Sequence, residues 1–238
     1  MRRVLLFVLA LLALQVQAYE LKPFSASYTA DWKQLPMSGT AERSLKADGD
    51  NRWLLNFRAS MLVASLTEES TFRQDADLFV PLTYRFDRSG LGKGKTVEQD
   101  FDWNEKQIIG SDRGNQLRVP LNRGMLDKST YQLALQYDVA AGKKSMSYQV
   151  VDGDEVETYD FRVLGEEVVR TRAGLLDAIK VERVRDPTQS NRKTVLWFAK
   201  DWDYLLVSLQ QVEKDGKEYQ IMLAEGDVDG RKVEGRRD

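Results

Sequence analysis

Phe24-Ser25-Ala26-Ser27-Tyr28-Thr29-Ala30-Asp31-Trp32 alternates without a break: aromatic rings and methyl groups at the even numbers, hydroxyls and a carboxylate at the odd ones. Successive strand side chains point to opposite faces, so this stretch reads as a strand with one buried and one wet face. The same rhythm returns at Trp53, Leu55, Phe57, Ala59 and Met61, set against Asn56, Arg58 and Ser60. Shorter runs follow at Leu82/Tyr84/Phe86, Val97/Phe101/Trp103, Tyr159/Phe161/Val163, Leu205/Val207/Leu209 and Tyr219/Ile221/Leu223. Between them lie Ala47-Asp48-Gly49-Asp50, Asp152-Gly153, Ala173-Gly174 and Asp215-Gly216. Glycine tolerates the positive φ of tight hairpin turns, so consecutive strands joined this way imply an antiparallel meander.

One segment breaks the rhythm. Tyr131, Ala134, Leu135 and Val139 fall at helical spacing, Asp127 or Ser129 can cap the start and Gly142 can stop it, which predicts a helix over Asp127–Ala140. A lone amphipathic helix among strands must bury its apolar stripe against the sheet, and the concave side of a curved sheet is the place for it. The predicted fold is therefore mainly β: a strongly curved antiparallel sheet, or open half-barrel, with one amphipathic helix. Residues 19–226 read as a single β-rich domain, because no Pro/Gly/Ser-rich linker interrupts them. Residues 227–238 are charged and almost free of apolar side chains, which predicts a flexible tail.

The N-terminus says where the chain works. Arg2 and Arg3, an apolar run from Val4 to Leu14, then Val16-Gln17-Ala18 give the charged, apolar and small-residue order of a cleaved signal peptide over residues 1–18. The run is shorter than the roughly 20 residues a membrane span needs, and no later stretch supplies one, so the exported chain is not expected to span a membrane. The expected location is the periplasm. Losing Arg2 and Arg3 from the 35 basic residues leaves the 37 acidic ones in excess by four, a balance that disfavours nucleic acid as a partner.

Absences narrow the chemistry further. The chain has no histidine and no cysteine, which removes Ser-His and Cys-His triads, zinc sites, disulfides and a lipidated cysteine. Carboxylate acid/base work, a Ser-Lys pair or an oxygen-only calcium site would remain. Asp152, Asp154, Glu155 and Glu157 lack the order of a calcium loop and read as a solvated hairpin. Ser145 beside Lys143 and Lys144 lacks a strained nucleophile turn, and Ser65 has no lysine near it in sequence. Gly90-Leu91-Gly92-Lys93-Gly94-Lys95 lacks the spacing of a phosphate loop and opens no helix, so it reads as a basic hairpin loop. No cofactor, metal site or catalytic residue is expected.

The densest aromatic cluster is Trp197, Phe198, Trp202 and Tyr204, and both parities of Val195 to Ala199 are apolar. Such a strand is either sandwiched in a core, the usual place of aromatic strand residues, or has one face lining an apolar cavity. With Tyr84, Phe86 and Trp103 from the other half of the chain, these are the candidate ligand-binding residues.

Lys193-Thr-Val-Leu-Trp-Phe-Ala-Lys-Asp-Trp-Asp-Tyr-Leu-Leu-Val207, together with Phe24 to Tyr28, Pro81 to Phe86 and Gly174 to Arg183, resembles the bacterial exported proteins grouped as domain-of-unknown-function family 3108. The resemblance covers nearly the whole mature chain and implies a periplasmic, mostly antiparallel β-protein. By fold-level analogy it extends to the half-barrels of periplasmic lipoprotein carriers and RseB-like sensors, whose curved sheets partly enclose an apolar cavity. The expected function is non-catalytic binding of an apolar or acyl group of an envelope component, a lipid or lipoprotein. The alternative is a scaffold with a filled core that engages an envelope protein partner.

Overall fold

The computed structural model describes residues 20–32, 37–62, 64–90, 94–188 and 190–237. The expected signal peptide lies outside these residues, as do Leu91, Gly92 and Lys93 of the basic loop. The chain opens with eight strands: β1 (Phe24–Trp32), β2 (Met37–Ala47), β3 (Arg52–Met61), β4 (Ala64–Asp75), β5 (Leu78–Ser89), β6 (Lys95–Asp102), β7 (Gln107–Asp112) and β8 (Asn115–Pro120). Helix α1 (Thr130–Ala140) follows. Seven strands complete the fold: β9 (Ser145–Asp152), β10 (Glu155–Thr171), β11 (Gly174–Val184), β12 (Lys193–Ala199), β13 (Leu205–Val212), β14 (Glu218–Val228) and the short β15 (Arg231–Lys232).

All belong to one antiparallel sheet, ordered β8-β7-β6-β5-β4-β3-β2-β1-β14-β13-β12-β11-β10-β9, with β15 beside β14. Two meanders are thus fused where β1 pairs with β14, and the free edges, β8 and β9, are the two strands that flank the helix in sequence. Among the described residues the predicted curved sheet with one helix is what forms, and it stays open between those edges. Side chains and loop backbone hold the seam instead. The Leu126 N–H donates to Gln149 O and the Leu126 carbonyl accepts from the Val151 N–H, each at 2.9 Å. Gln99 Nε2 donates to Gly153 O at 2.9 Å, and Lys128 Nζ lies 2.5 Å from Asp152 Oδ2. The Asp152-Gly153 turn, read from sequence as a solvated hairpin, is therefore docked. A Cβ on Gly153 would clash with Asp112 Oδ2, so no larger residue fits there without moving Asp112.

Residues directly opposite in adjacent strands share a face. Phe24, Leu45, Leu55, Ser70, Tyr84 and Gln99 form one such row across β1 to β6, and all are buried. Arg43, Phe57, Glu68 and Phe86 form the next, and Ala41, Ala59 and Leu66 the one after. Their neighbours of opposite parity, such as Glu42, Arg58, Ser65 and Thr67, are exposed. The apolar parity is the concave face.

Helix α1 sits on that face. Asp127 Oδ1 accepts the backbone N–H groups of Ser129 and Thr130 at 2.8 and 2.7 Å, and Oδ2 accepts Ser70 Oγ at 2.6 Å, so one carboxylate caps the helix and pins it to β4. The helix differs from the expected amphipathic one. Thr130, Leu133 to Tyr137 and Val139 are all buried, because one side packs with Phe24, Leu45 and Phe79 while Leu135 and Val139 pack with Phe161, Val181 and Phe198.

The expected flexible tail at 227–238 is also corrected. Val228 ends β14, β15 pairs back onto it, Val233 is 1% exposed, and Arg236 N–H and C=O bond to Leu175. Arg236 further grips Asp177 through both terminal nitrogens, at 2.5 and 3.0 Å. One buried valine and a backbone ladder suffice to dock a segment whose composition is otherwise polar.

Candidate functional site

The helix is too short to cover the concave face. Eleven residues rise about 16 Å, whereas the twelve residues of β4 extend about 40 Å. Burial along the inner face falls accordingly. The row through Leu45 and Leu55 is sealed; in the next, Phe57, Glu68 and Phe86 are only half-buried; beyond it, Ala59, Leu66, Met61, Ala64 and Ala30 are half-buried as well. The opposite wall continues the pattern, since Ala30 stands opposite Ile221 and Ile221 opposite Leu209, both half-buried. Past the first turn of the helix, marked by Tyr131, the concave face is a partly covered apolar trough whose lining packs on the core beneath it.

Its inner end is polar. Arg43 occupies a position where alternation calls for an apolar residue, is 3% exposed and lies 5.3 Å from the Phe24 ring. Neither of its terminal nitrogens has a hydrogen-bond partner among the described residues. Glu68 accepts the Tyr84 hydroxyl at 2.6 Å. Burial drives its carboxyl up to about 7, with Asp127 adding to the rise and Tyr84, Lys128 and Arg43 opposing it. Tyr131 packs edge-on to Tyr159 at 5.0 Å and flat over Phe161 at 5.9 Å. Arg183 lies 3.3 Å above the Tyr159 ring with its Nε buried and unpaired. Arg185 donates to Thr194 Oγ1 at 3.2 Å, while its Nη1 is buried without a partner. Burial, then the neighbouring Arg183 and Arg192, lower Arg185 to about 10.

The seven aromatics singled out in the sequence are not brought together. Trp197 packs with Val169, Leu176 and Val233, and Phe198 with Leu135 and Phe161, so β12 is a core strand covered on both faces. Trp202 lies under Arg231 at 5.6 Å, and Tyr204 follows it in a turn with positive φ. Trp103 donates its Nε1 to Pro81 O at 2.7 Å in the β6–β7 turn region. Phe86 does line the trough, and Tyr84 lies beneath it, holding Glu68. Phe57, Leu66, Leu209, Ile221, Arg43, Glu68 and Tyr131 were not singled out. For Arg43 and Glu68 a signal existed: a charge on the apolar parity of a strand.

A second concavity of about 970 Å³ opens near the end of α1, between Leu78, Phe79, Tyr137 and Tyr148. Its rim carries the ion pairs Asp138–Lys143 (2.7 Å) and Asp203–Lys22 (2.9 Å). No group of three or more acidic, His or Cys side chains that could hold a metal occurs among the described residues. No helix of the described residues is long and apolar enough to cross a membrane.

Residues 27–224, from the first strand to the fourteenth, match the model of the family described as "Protein of unknown function (DUF3108)". The chain belongs to that family. Among solved structures, this DUF3108 member is similar to the beta-barrel-like protein of domain of unknown function DUF1849 from Brucella abortus. The TM-score is 0.59 at 13% identity, over 88% of this chain and 99% of that one. That likeness concerns the fold, and it agrees with the curved antiparallel sheet. No curated protein matches the chain.

Proposed function

We propose that this DUF3108 member is an exported, non-catalytic binding protein that holds the acyl chain of an envelope component in the trough on its concave face. The observation that carries the reading is the half-burial of Phe57, Ala59, Leu66, Phe86, Leu209 and Ile221 on a face whose parity is otherwise core. An apolar surface left open inside a curved sheet is a binding surface in need of an occupant. Catalysis is the weaker reading. Glu68 is a carboxyl near neutrality on this face, and Asp127, itself raised by burial, is fully engaged as the helix cap.

Titration with fatty alcohols of increasing length, followed by calorimetry, tests the proposal. Saturable binding should strengthen by about 0.8 kcal/mol per methylene until the trough is full. Leu66→Trp, which places an indole in the trough, should abolish it. Ala140→Trp, at the second concavity, should not. A protein that binds none of these, and from which organic solvent extracts no co-purified lipid, would favour the interaction-scaffold reading instead. A separate observation favours that second reading: Val156, Leu164 and Val168 of β10 and Val184 of β11 are exposed on the same long hairpin.

A further inference from the structure

At the inner end of the trough lie guanidinium groups with buried nitrogens that no described residue pairs. Arg43 has two buried, unpaired nitrogens; Arg185 and Arg183 have one each. An unpaired polar group out of water costs free energy, and a charged one costs more, so such groups in a folded protein call for a partner. The guanidinium groups lie on two walls at the start of α1: Arg183 stacks over Tyr159, which packs edge-on to Tyr131, Arg185 follows Arg183 two residues on, and Arg43 lies over Phe24 in the cluster against which Tyr131 also packs. The carboxylates nearby are already committed. Glu68 accepts from Tyr84, Asp127 caps the helix, Asp152 pairs with Lys128, and Glu157 accepts from Arg183 at 3.3 Å.

We propose that the ligand is an anionic amphiphile, whose carboxylate or phosphate head is received between Arg43, Arg185 and Tyr131 while its chain lies along the trough. This rests on the acyl-binding reading and adds the head group to it. Oxyanions suit the site because guanidinium N–H groups offer charge-assisted hydrogen bonds in a fixed planar array, which a neutral head cannot exploit. The half-buried state of Tyr131 and Glu68 makes this the point where the polar end adjoins the open trough.

The decisive comparison is dodecanoate against dodecanol, equal in chain length and different in head charge, by calorimetry at about pH 8, where the carboxylate is ionised. Wild-type protein should bind dodecanoate at least about tenfold more tightly. Arg185→Gln and Arg43→Met should each remove that preference while dodecanol binding persists. Arg43→Met should also raise the melting temperature of the ligand-free protein, because an apolar side chain replaces an unpaired buried charge. Equal binding of the two ligands by wild type would overturn the head-group assignment and leave the acyl reading standing. Failure of both to bind would overturn the two readings together. Saturable binding of inorganic phosphate, lost in Arg185→Gln, without any preference for dodecanoate would overturn the amphiphile assignment in favour of a free-anion site.

Discussion

Glu68 stands directly opposite Phe57 on one side and Phe86 on the other, a carboxyl between two rings. Its folded-state value of about 7 against an ordinary 4.5 means that the folded chain holds this proton more tightly than the unfolded chain does. The folded protein then gains most below pH 4.5 and loses stability as the pH rises from 4.5 through 7, the reverse of a salt-bridged carboxylate. Glu68→Gln keeps an acceptor for Tyr84 and removes the titration. It should flatten that decline and stabilise the protein at alkaline pH by on the order of 1–2 kcal/mol, as read by urea unfolding at a series of pH values. The groups that bear on this titration are Tyr84, Lys128, Asp127 and Arg43. Half of the anomaly was legible in Ala41-Glu42-Arg43-Ser44-Leu45, where Arg43 takes the parity of Ala41 and Leu45. What the sequence withholds is whether a long cationic side chain at such a position turns to solvent or stays, which depends on strands far away in the chain.

At the scale of elements, strands and turns were the readable part, because alternation and Gly-containing turns are local. The helix was legible in position and misread in character. Its apolar residues suggested one stripe, yet Gln136 is also buried, its Nε2 donating to Asp203 O at 2.9 Å, so the polar side is covered as well. Leu135 is fully buried between helix and sheet, and Leu135→Ala should cost about 2–5 kcal/mol in chemical denaturation. The apolar strand β12 posed two alternatives, core or cavity wall. The far half of β10 and the docked C-terminal segment supply the second cover that makes it core. That segment carries a prediction of its own. Ending the chain after Gly230 exposes the surface that Val233 covers and frees Asp177, and should lower stability by about 2–4 kcal/mol with the sheet retained by circular dichroism.

For the whole molecule, the curved sheet was legible as a class, while the trough was not. A trough is a mismatch between the length of the helix and the length of the strands it lies on, and neither length signals the other in sequence. Export likewise rests on the leader's residue order. Periplasmic protein should show an intact mass beginning at Tyr19, and retention of Met1 to Ala18 in that fraction would contradict it.

The ladder between β1 and β14 joins the first strand of the chain to nearly the last. Every other ladder of the sheet, β14 with β15 included, joins strands made one after the other, whereas this ladder must close a loop of almost the entire domain, and contacts of such sequence separation form slowly. In a chain that crosses a membrane N-terminus first, β1 to β8 emerge and can zip together while β14 is still on the other side. Until then the nine residues of β1 present an unpaired edge, the kind of surface on which chains aggregate. Exported in that way, the chain would pass through a vulnerable interval, set by the time between the appearance of Phe24 and that of Val228, during which this edge would need protection by something other than its own fold.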